Sequence, residues 1–170
     1  MVKEKTTGSS HDFIIHPGET LMEIIKERKM SQKELAIRCG VSEKHISTVL
    51  NGKKNISPFF ARRLEFALGI DFLFWVNLQS NYDNELTRLE EINGISKMEI
   101  NVLDSINDIL SDYKKSNIIP SNLDEKNEVL ELRKVFNVSN LINIKYLEKT
   151  TIDENPYIIY AKKKYYELIK

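Results

Sequence analysis

Two short helical patterns joined by a tight turn constrain this sequence more than any other feature. The segment from Ser31 to Gly52 contains SQKELAIRCGVSEKHISTVLNG. A serine opens each pattern, at Ser31 and at Ser42, where its hydroxyl can accept a hydrogen bond from a free amide of the first helical turn. Gly40 and Gly52 close the patterns, because glycine enters the left-handed region without a steric penalty. The spacing therefore predicts two short helices with a turn between them.

The apolar positions of this segment indicate which faces are buried. Glu34, three residues after Ser31, is placed to complete a capping box. The small Ala36 beside Leu35 suits a site where two helices cross closely. In the second pattern, three apolar residues recur with the helical period and are expected to face inward: Ile46, Val49 and Leu50.

The polar residues left on the outer surface of this segment predict a DNA interface. Two short helices, a tight turn and one free polar face are typical of a DNA-binding helix-turn-helix. Short or flexible polar side chains can form hydrogen bonds there with base edges and phosphates. The predicted DNA-binding residues are Gln32, Ser42, Glu43, Lys44, His45, Ser47, Thr48, Asn51, Lys53 and Lys54.

Further motifs on both sides of this segment resemble a known family. In chain order they are HPGETL at 16–21, NGK at 51–53, FW at 74–75, NLQ at 77–79 and YD at 82–83. At this spacing they resemble the Cro/repressor-type (XRE) helix-turn-helix family, and within it the HigA-type antitoxins. The resemblance covers roughly residues 13 to 92. It implies a DNA-binding autorepressor whose partner is an mRNA-cleaving, RelE-like toxin.

The predicted fold class is all-α, with a larger helical domain and a smaller extension. We expect a five-helix Cro/repressor-like helix-turn-helix domain over 13–94 and a helical extension over 95–170, which serves dimerisation or partner binding. Residues 1–12, rich in Lys, Thr, Gly and Ser, are predicted to form a disordered arm.

Two helices are expected to complete the first domain. Pro17 suits the first turn of helix one, which is predicted to run to about Lys29. Ser57 and Pro58 start helix four, whose apolar residues are expected to close the core: Phe59, Leu64, Phe66, Ala67 and Leu68. Asp71 caps helix five. The aromatic stripe of that helix, which includes Trp75, packs either into the core or against a second copy.

The region after residue 94 is predicted to contain further helices, one of them amphipathic from about residue 98 to the turn formers near residues 116–120. Segments 117–119 and 132–138 are similar to the linker of longer XRE regulators in which an ImmA/IrrE-type metallopeptidase follows the DNA-binding domain. Such a peptidase needs an HExxH helix to hold zinc. The sequence has no such helix, since its three histidines are His11, His16 and His45.

The charge is distributed unevenly, although the net formal charge is zero. Residues 16–70 contain ten Lys and Arg against six Asp and Glu, whereas residues 71–128 contain five against twelve. The basic charge thus coincides with the predicted DNA interface, where lysines can meet phosphates and release counterions. Arg62 and Arg63 either share that role or solvate the surface of a helical bundle.

Other functional classes find little support in the residues. No histidine follows residue 45, and the six glycines are scattered, so neither a Ser-His-Asp triad nor a phosphate-binding glycine loop is predicted. We expect no enzyme activity, no metal and no cofactor. One cysteine, no signal peptide and no long apolar run favour a cytoplasmic protein outside the membrane. Cys39 is predicted to be a buried thiol rather than a redox sensor, and His45 to pack or bind phosphate rather than sense pH.

Two hypotheses for the function remain open, and both include double-stranded operator DNA and a homodimer as partners. In the first, the protein is a HigA-like antitoxin that represses its own operon and neutralises a RelE/HigB-like toxin, which could bind the acidic segment 71–128. In the second, it is a repressor of a phage or mobile element, whose extension senses a protein or a ligand. Neighbouring genes would distinguish them.

Overall fold

The described part of the chain is entirely helical. A computed structural model describes residues 14–148, 150–151 and 154–170, and these ranges contain helices and connecting turns without a strand. This confirms the predicted all-α class. The predicted arm at 1–12 lies outside the described residues. In chain order, the helices are α1 Pro17–Glu27, α2 Gln32–Cys39, α3 Glu43–Leu50, α4 Pro58–Leu68, α5 Phe72–Gly94, α6 Lys97–Ser105, α7 Asn107–Lys115, α8 Glu125–Phe136, a 3-10 helix Leu141–Asn143, α9 Ile144–Leu147 and α10 Pro156–Leu168.

The helices form two compact units, the first ending at Leu89 and the second running from Glu90 to Lys170. The first unit has one apolar core, to which helices α1 to α5 all contribute. Trp75 of α5 is completely buried in this core. Of the two alternatives for the aromatic stripe, Trp75 therefore follows the first, which is packing into the core rather than against a second copy. No helix among the described residues has both the length and the apolar character that a membrane crossing requires.

The HPGE segment fixes the start of α1 against α3. The imidazole of the buried His16 caps the helix, because its Nδ1 accepts a hydrogen bond from the backbone N–H of Gly18 at 2.9 Å. Pro17 occupies the first turn, where no amide hydrogen is needed. A Cβ atom on Gly18 would lie 2.0 Å from the carbonyl oxygen of Val49 in α3. Only glycine therefore permits α1 to approach α3 this closely.

The NLQ and YD motifs hold the loop between α3 and α4 onto α5. The buried side chain of Gln79 accepts a hydrogen bond from the backbone N–H of Ile56 at 2.8 Å and donates one to Asp83, also at 2.8 Å. The side-chain amide of Asn55 donates to the same carboxylate oxygen of Asp83 at 3.4 Å. A buried backbone N–H needs an acceptor, and the irregular loop offers none to Ile56. The side-chain oxygen of Gln79 is that acceptor.

The second unit has its own core, built from α6 to α10 and the residues that precede α6. The fully buried Tyr113 lies at its centre, where its hydroxyl donates to the carbonyl oxygen of Ala161 at 2.8 Å. Burial raises the pKa of the Tyr113 phenol, so the group remains a neutral donor. A bidentate ion pair joins Arg133 to the buried Glu99, with N–O distances of 2.8 and 2.7 Å. Glu99 also accepts the backbone N–H of Leu141 at 2.9 Å, which gives the buried carboxylate a third hydrogen bond.

The structure corrects the predicted core face of α4. Phe59 and Phe66 are exposed by 68% and 78%, whereas Phe60 and Ala61 are buried together with Leu64 and Leu68. The Ser57 cap and Pro58 do start the helix as predicted. The register of the inward stripe, at positions 60, 64 and 68, then places the neighbouring phenylalanines outside.

Two helix predictions also differ from the structure. Helix α1 ends at Glu27 rather than near Lys29, and Lys29 has a positive φ of 54° that ends the helical turn. The single helix predicted from about residue 98 to the turn formers near residues 116–120 is broken at Ile106, where φ is −117° and ψ is 15°. Periodicity of apolar residues persists across the break, and so it could not reveal the change of direction.

Replacing Gly18 with alanine should lower the free energy of unfolding by about 3 kcal/mol, because the new methyl group would overlap the Val49 carbonyl. Urea unfolding would measure the loss. Gly94→Ala is the matched control, since nothing lies within 4 Å of a Cβ there; its effect should stay within about 1 kcal/mol. Equal effects of the two substitutions would contradict the proposed contact.

Candidate nucleic-acid interface

The first helix of the predicted motif is closed at both ends by local contacts. The backbone N–H of Glu34 donates to the hydroxyl of Ser31 at 3.1 Å, as predicted. The Glu34 carboxylate accepts hydrogen bonds from Arg38 rather than reaching back to complete a capping box. Gly40 adopts a φ of 61°, and the following N–H of Val41 donates to the carbonyl of Ala36 at 3.0 Å. This closure ends α2 and leads through Val41 and Ser42 directly to α3.

The second helix has the same kind of closure, and it fixes where the following lysines begin. The hydroxyl of Ser42 accepts the backbone N–H of His45 at 3.1 Å. At the other end Gly52 has a φ of 68°, and the N–H of Lys53 donates to the carbonyl of Thr48 at 2.9 Å. Lys53 and Lys54 therefore leave α3 along a defined path rather than in a free loop.

The ten predicted DNA-binding residues all keep at least part of their surface free. Six are exposed: Ser42, Glu43, Lys44, Asn51, Lys53 and Lys54. Four are half-buried: Gln32, His45, Ser47 and Thr48. The inward residues of α3 are buried as predicted: Ile46, Val49 and Leu50. The helix thus separates an apolar face from a polar one, and its role in binding DNA stays a prediction.

Some polar groups on α3 already have partners within the helix. The side-chain amide of Asn51 donates to the carbonyl of Ser47 at 2.7 Å and to the Ser47 hydroxyl at 3.3 Å. The hydroxyl of Thr48 donates to the carbonyl of His45 at 2.8 Å. Base recognition through the Asn51 amide nitrogen would have to exchange these bonds, whereas recognition through its side-chain oxygen would keep them.

Six of the ten predicted residues line one open depression. We call it the lysine depression; its lining residues are Ser42, Lys44, His45, Thr48, Lys53 and Lys54. Three of these side chains are ammonium groups, and none is a carboxylate. Close positive charges without an intervening acid attract an anion, and the Ser42 hydroxyl beside them can donate to a phosphate oxygen. The depression thus has the chemistry of a phosphate site, whereas Gln32, Glu43, Ser47 and Asn51 are not part of its lining.

The two arginines of α4 both have partners within the first unit. The guanidinium of Arg63 donates from Nη1 to the carbonyl oxygens of Cys39 and Gly40, at 2.8 and 2.6 Å, and stacks on the ring of Phe59. Arg62 forms an ion pair with Glu65 of the same helix and lies 4.2 Å from the ring centroid of Phe72. Arg63 therefore caps the end of α2, a role that residue spacing alone does not indicate.

Cys39 is a buried thiol, as predicted. Its side chain lies at the end of α2, and its sulfur donates weakly to the carbonyl of Arg63 at 3.9 Å. Burial raises the pKa of the thiol to about 11, against the opposing effect of the nearby Arg63 charge. At neutral pH the group is therefore almost wholly protonated and a poor nucleophile.

The tight turn, the capped second helix and its polar outer face together define a helix-turn-helix DNA-binding domain. Residues 21–75 match the family model described as Helix-turn-helix, and this segment of the chain belongs to that family. The match covers less than half of the chain. Among curated proteins none matches.

Solved structures of antitoxins are similar to about half of this chain. The Pseudomonas aeruginosa antitoxin HigA, determined with the higBA promoter, is 29% identical over 49% of this chain and 97% of that chain, with a TM-score of 0.45. An addiction module antidote protein of the HigA family from Coxiella burnetii is 31% identical over 49% and 96%, with a TM-score of 0.42. The antitoxin GraA is 30% identical over 49% and 96%, with a TM-score of 0.45. The similarity of the C-terminal region to ImmA/IrrE-type regulators stays a prediction.

Arg63→Gln should reduce stability without changing the salt dependence of DNA binding. Losing the donor to two helix-terminal carbonyls is expected to cost about 1–3 kcal/mol in urea unfolding. Arg38→Gln is the matched control, because Arg38 pairs on the surface with Glu34 of its own helix and should contribute less than about 0.5 kcal/mol. A reduced salt slope for Arg63→Gln would instead assign this arginine to a phosphate.

Cys39 should resist alkylation in the folded protein. With iodoacetamide at neutral pH, we expect modification at least about tenfold slower than in guanidinium chloride, because the folded thiol is buried and protonated. Mass spectrometry of timed samples would measure both rates. Similar rates in the two conditions would show that the thiol is accessible.

Proposed function

We propose that this protein is a sequence-specific DNA-binding repressor that acts as a HigA-like antitoxin. The observation that carries the proposal is the lysine depression, which lies beside the free polar face of α3 and contains three ammonium groups without a carboxylate. A repressor needs both elements, since base edges supply specificity and phosphates supply most of the affinity. The 29–31% identity to proteins named as antitoxins supports the narrower assignment.

In the proposed complex, α3 enters the major groove of double-stranded operator DNA. Glu43, Lys44, Ser47 and Asn51 would then face base edges, while Gln32 and Ser42 approach the backbone. Lysine is a compact, strongly hydrated charge, and so Lys53 and Lys54 would contribute mainly electrostatic attraction to phosphates and release of counterions. The operator would overlap the promoter of the protein's own gene. Because the protein would have to reach this DNA, it would act in the cytoplasm.

A homodimer is part of the proposal. One helix-turn-helix contacts only a few base pairs, which is too little for a specific site. Two copies related by a two-fold axis can place their α3 helices about 34 Å apart, which is one turn of DNA. The operator should accordingly be a palindrome with two half-sites at that spacing.

The proposed protein partner is a RelE/HigB-like toxin. The acidic segment 71–128, with twelve Asp and Glu against five Lys and Arg, would meet a basic toxin with complementary charge. Such charge complementarity accelerates association and favours one orientation over others. Residues 95–170 would contribute to partner binding or dimerisation.

A second candidate function is a repressor of phage or mobile-element type whose C-terminal region senses a protein or a ligand. The observation that favours it is the separate apolar core of the second unit, which includes the buried Tyr113 and the Glu99–Arg133 ion pair. Residues that fold around their own core can serve as a sensing domain.

Co-expression with the adjacent gene tests the antitoxin proposal. A small basic protein that co-purifies with this chain, and whose toxicity the chain suppresses, is the expected result. A shift assay with the DNA upstream of the operon then tests autorepression. Specific DNA binding without any such partner would support the second candidate instead.

Two lysine substitutions should separate base recognition from phosphate contact. Lys44→Ala is expected to change the ranking of operator variants, whereas Lys53→Ala should weaken binding to all sequences alike and reduce the salt slope by about one. Binding to operator and to mixed-sequence DNA across a salt series would measure both effects. If neither substitution alters binding, α3 is not the recognition helix.

A further inference from the structure

We propose that His45 is a positioning residue for Lys54: its imidazole holds the Lys54 ammonium in the lysine depression, ready to receive a phosphate group of the DNA backbone. The distance between Lys54 Nζ and His45 Nδ1 is 3.1 Å. The inference rests on the proposed DNA-binding function. Whereas the sequence predicts that His45 contacts DNA itself, here it holds Lys54, which contacts the DNA backbone.

The imidazole of His45 is itself held in place. The backbone N–H of His45 donates to Ser42, and its carbonyl accepts the hydroxyl of Thr48. The ring packs edge-on against the buried Phe60, with 4.8 Å between ring centroids. The first two contacts fix the backbone at His45, and the Phe60 contact restricts the half-buried ring itself. The imidazole can therefore serve as a fixed point for a longer and more flexible side chain.

The direction of the hydrogen bond follows from the chemistry of the two groups. An ammonium group can only donate, and therefore Nδ1 of His45 must accept and the ring hydrogen must lie on Nε2. Burial, together with the charges of Lys54 and Arg63, lowers the pKa of His45 below its ordinary value. The lowered pKa favours the neutral imidazole, which the acceptor role requires.

A held lysine binds phosphate better than a free one. The Lys54 side chain is exposed and would otherwise populate many rotamers, all but a few of which are lost when it binds. The bond to His45 restricts that freedom before DNA arrives, which lowers the entropic cost of binding. It also keeps Lys54 near Lys44 and Lys53, where mutual repulsion is relieved when a phosphate arrives.

A double-mutant cycle on the full chain tests the inference. The probe is a fluorescein-labelled duplex of mixed sequence, because phosphate contacts do not depend on base sequence. His45→Leu removes the acceptor, Lys54→Gln removes the charge, and Lys26→Gln on the exposed surface of α1 is the control. We expect both interface variants to weaken binding several-fold and to reduce the salt slope, and the double variant to bind no worse than Lys54→Gln alone.

Conservative rescue distinguishes positioning from a general effect on folding. His45→Asn places an amide oxygen near the position of Nδ1 and should restore most of the affinity lost in His45→Leu. If the losses in the double variant simply add, or if His45→Leu binds as well as the natural chain, the inference is wrong. If the natural chain binds no duplex at all, the proposed function itself fails.

A second measurement does not depend on whether His45→Leu folds. The ¹⁵N chemical shifts of the His45 imidazole report which nitrogen accepts a hydrogen bond. Lys54→Gln should move the Nδ1 resonance, whereas Lys53→Gln, the matched substitution in the same loop, should leave it unchanged. An Nδ1 resonance that is the same in the natural chain and in Lys54→Gln would overturn the inference.

Discussion

The close approach of Gly18 to the carbonyl oxygen of Val49 is the contact on which the placement of α3 depends. It brings the capped start of α1 against the C-terminal half of α3, and it leaves no room for a Cβ atom. His16 holds the same turn from inside, where its ring also packs edge-on against Tyr82 of α5. Because interiors are close-packed, a displacement at this crossing would move the polar face of α3 as a whole.

Two arginines and three lysines of the first unit have different surroundings. The planar forks of two arginines lie at helix ends: Arg28 donates to the carbonyl of Leu68 at 2.6 Å, and Arg63 donates to two carbonyls at the end of α2. Lysine, a flexible point charge, lines the depression beside α3. A count of basic residues therefore does not locate the phosphate site, since these two guanidinium groups are held at helix ends rather than in the lysine depression.

The second unit folds around a core of its own. Its core and the buried Glu99–Arg133 pair make it a folded body rather than a loose tail. Breaking such a pair would leave an uncompensated buried charge, so the two residues act as a single structural element. A regulator that combines a DNA-binding unit with a separately cored unit can couple the state of one to an event at the other, and both candidate functions use this organisation.

Residue patterns correctly predict the features that depend on near neighbours in the chain. The caps at Ser31 and Ser42, the glycine turns and the inward stripe of α3 all follow from residues within a few positions of each other, and the structure has them as predicted. The start of α4 is also predicted correctly, but Phe59, which is predicted to lie in the core, is exposed. Which face of an apolar helix is buried depends on the helices that pack against it. Tertiary structure alone decided that Arg63 closes a helix 24 positions away, that Gln79 binds Ile56, and that His45 meets Lys54. Those pairings depend on where the helices cross, and no local pattern records that.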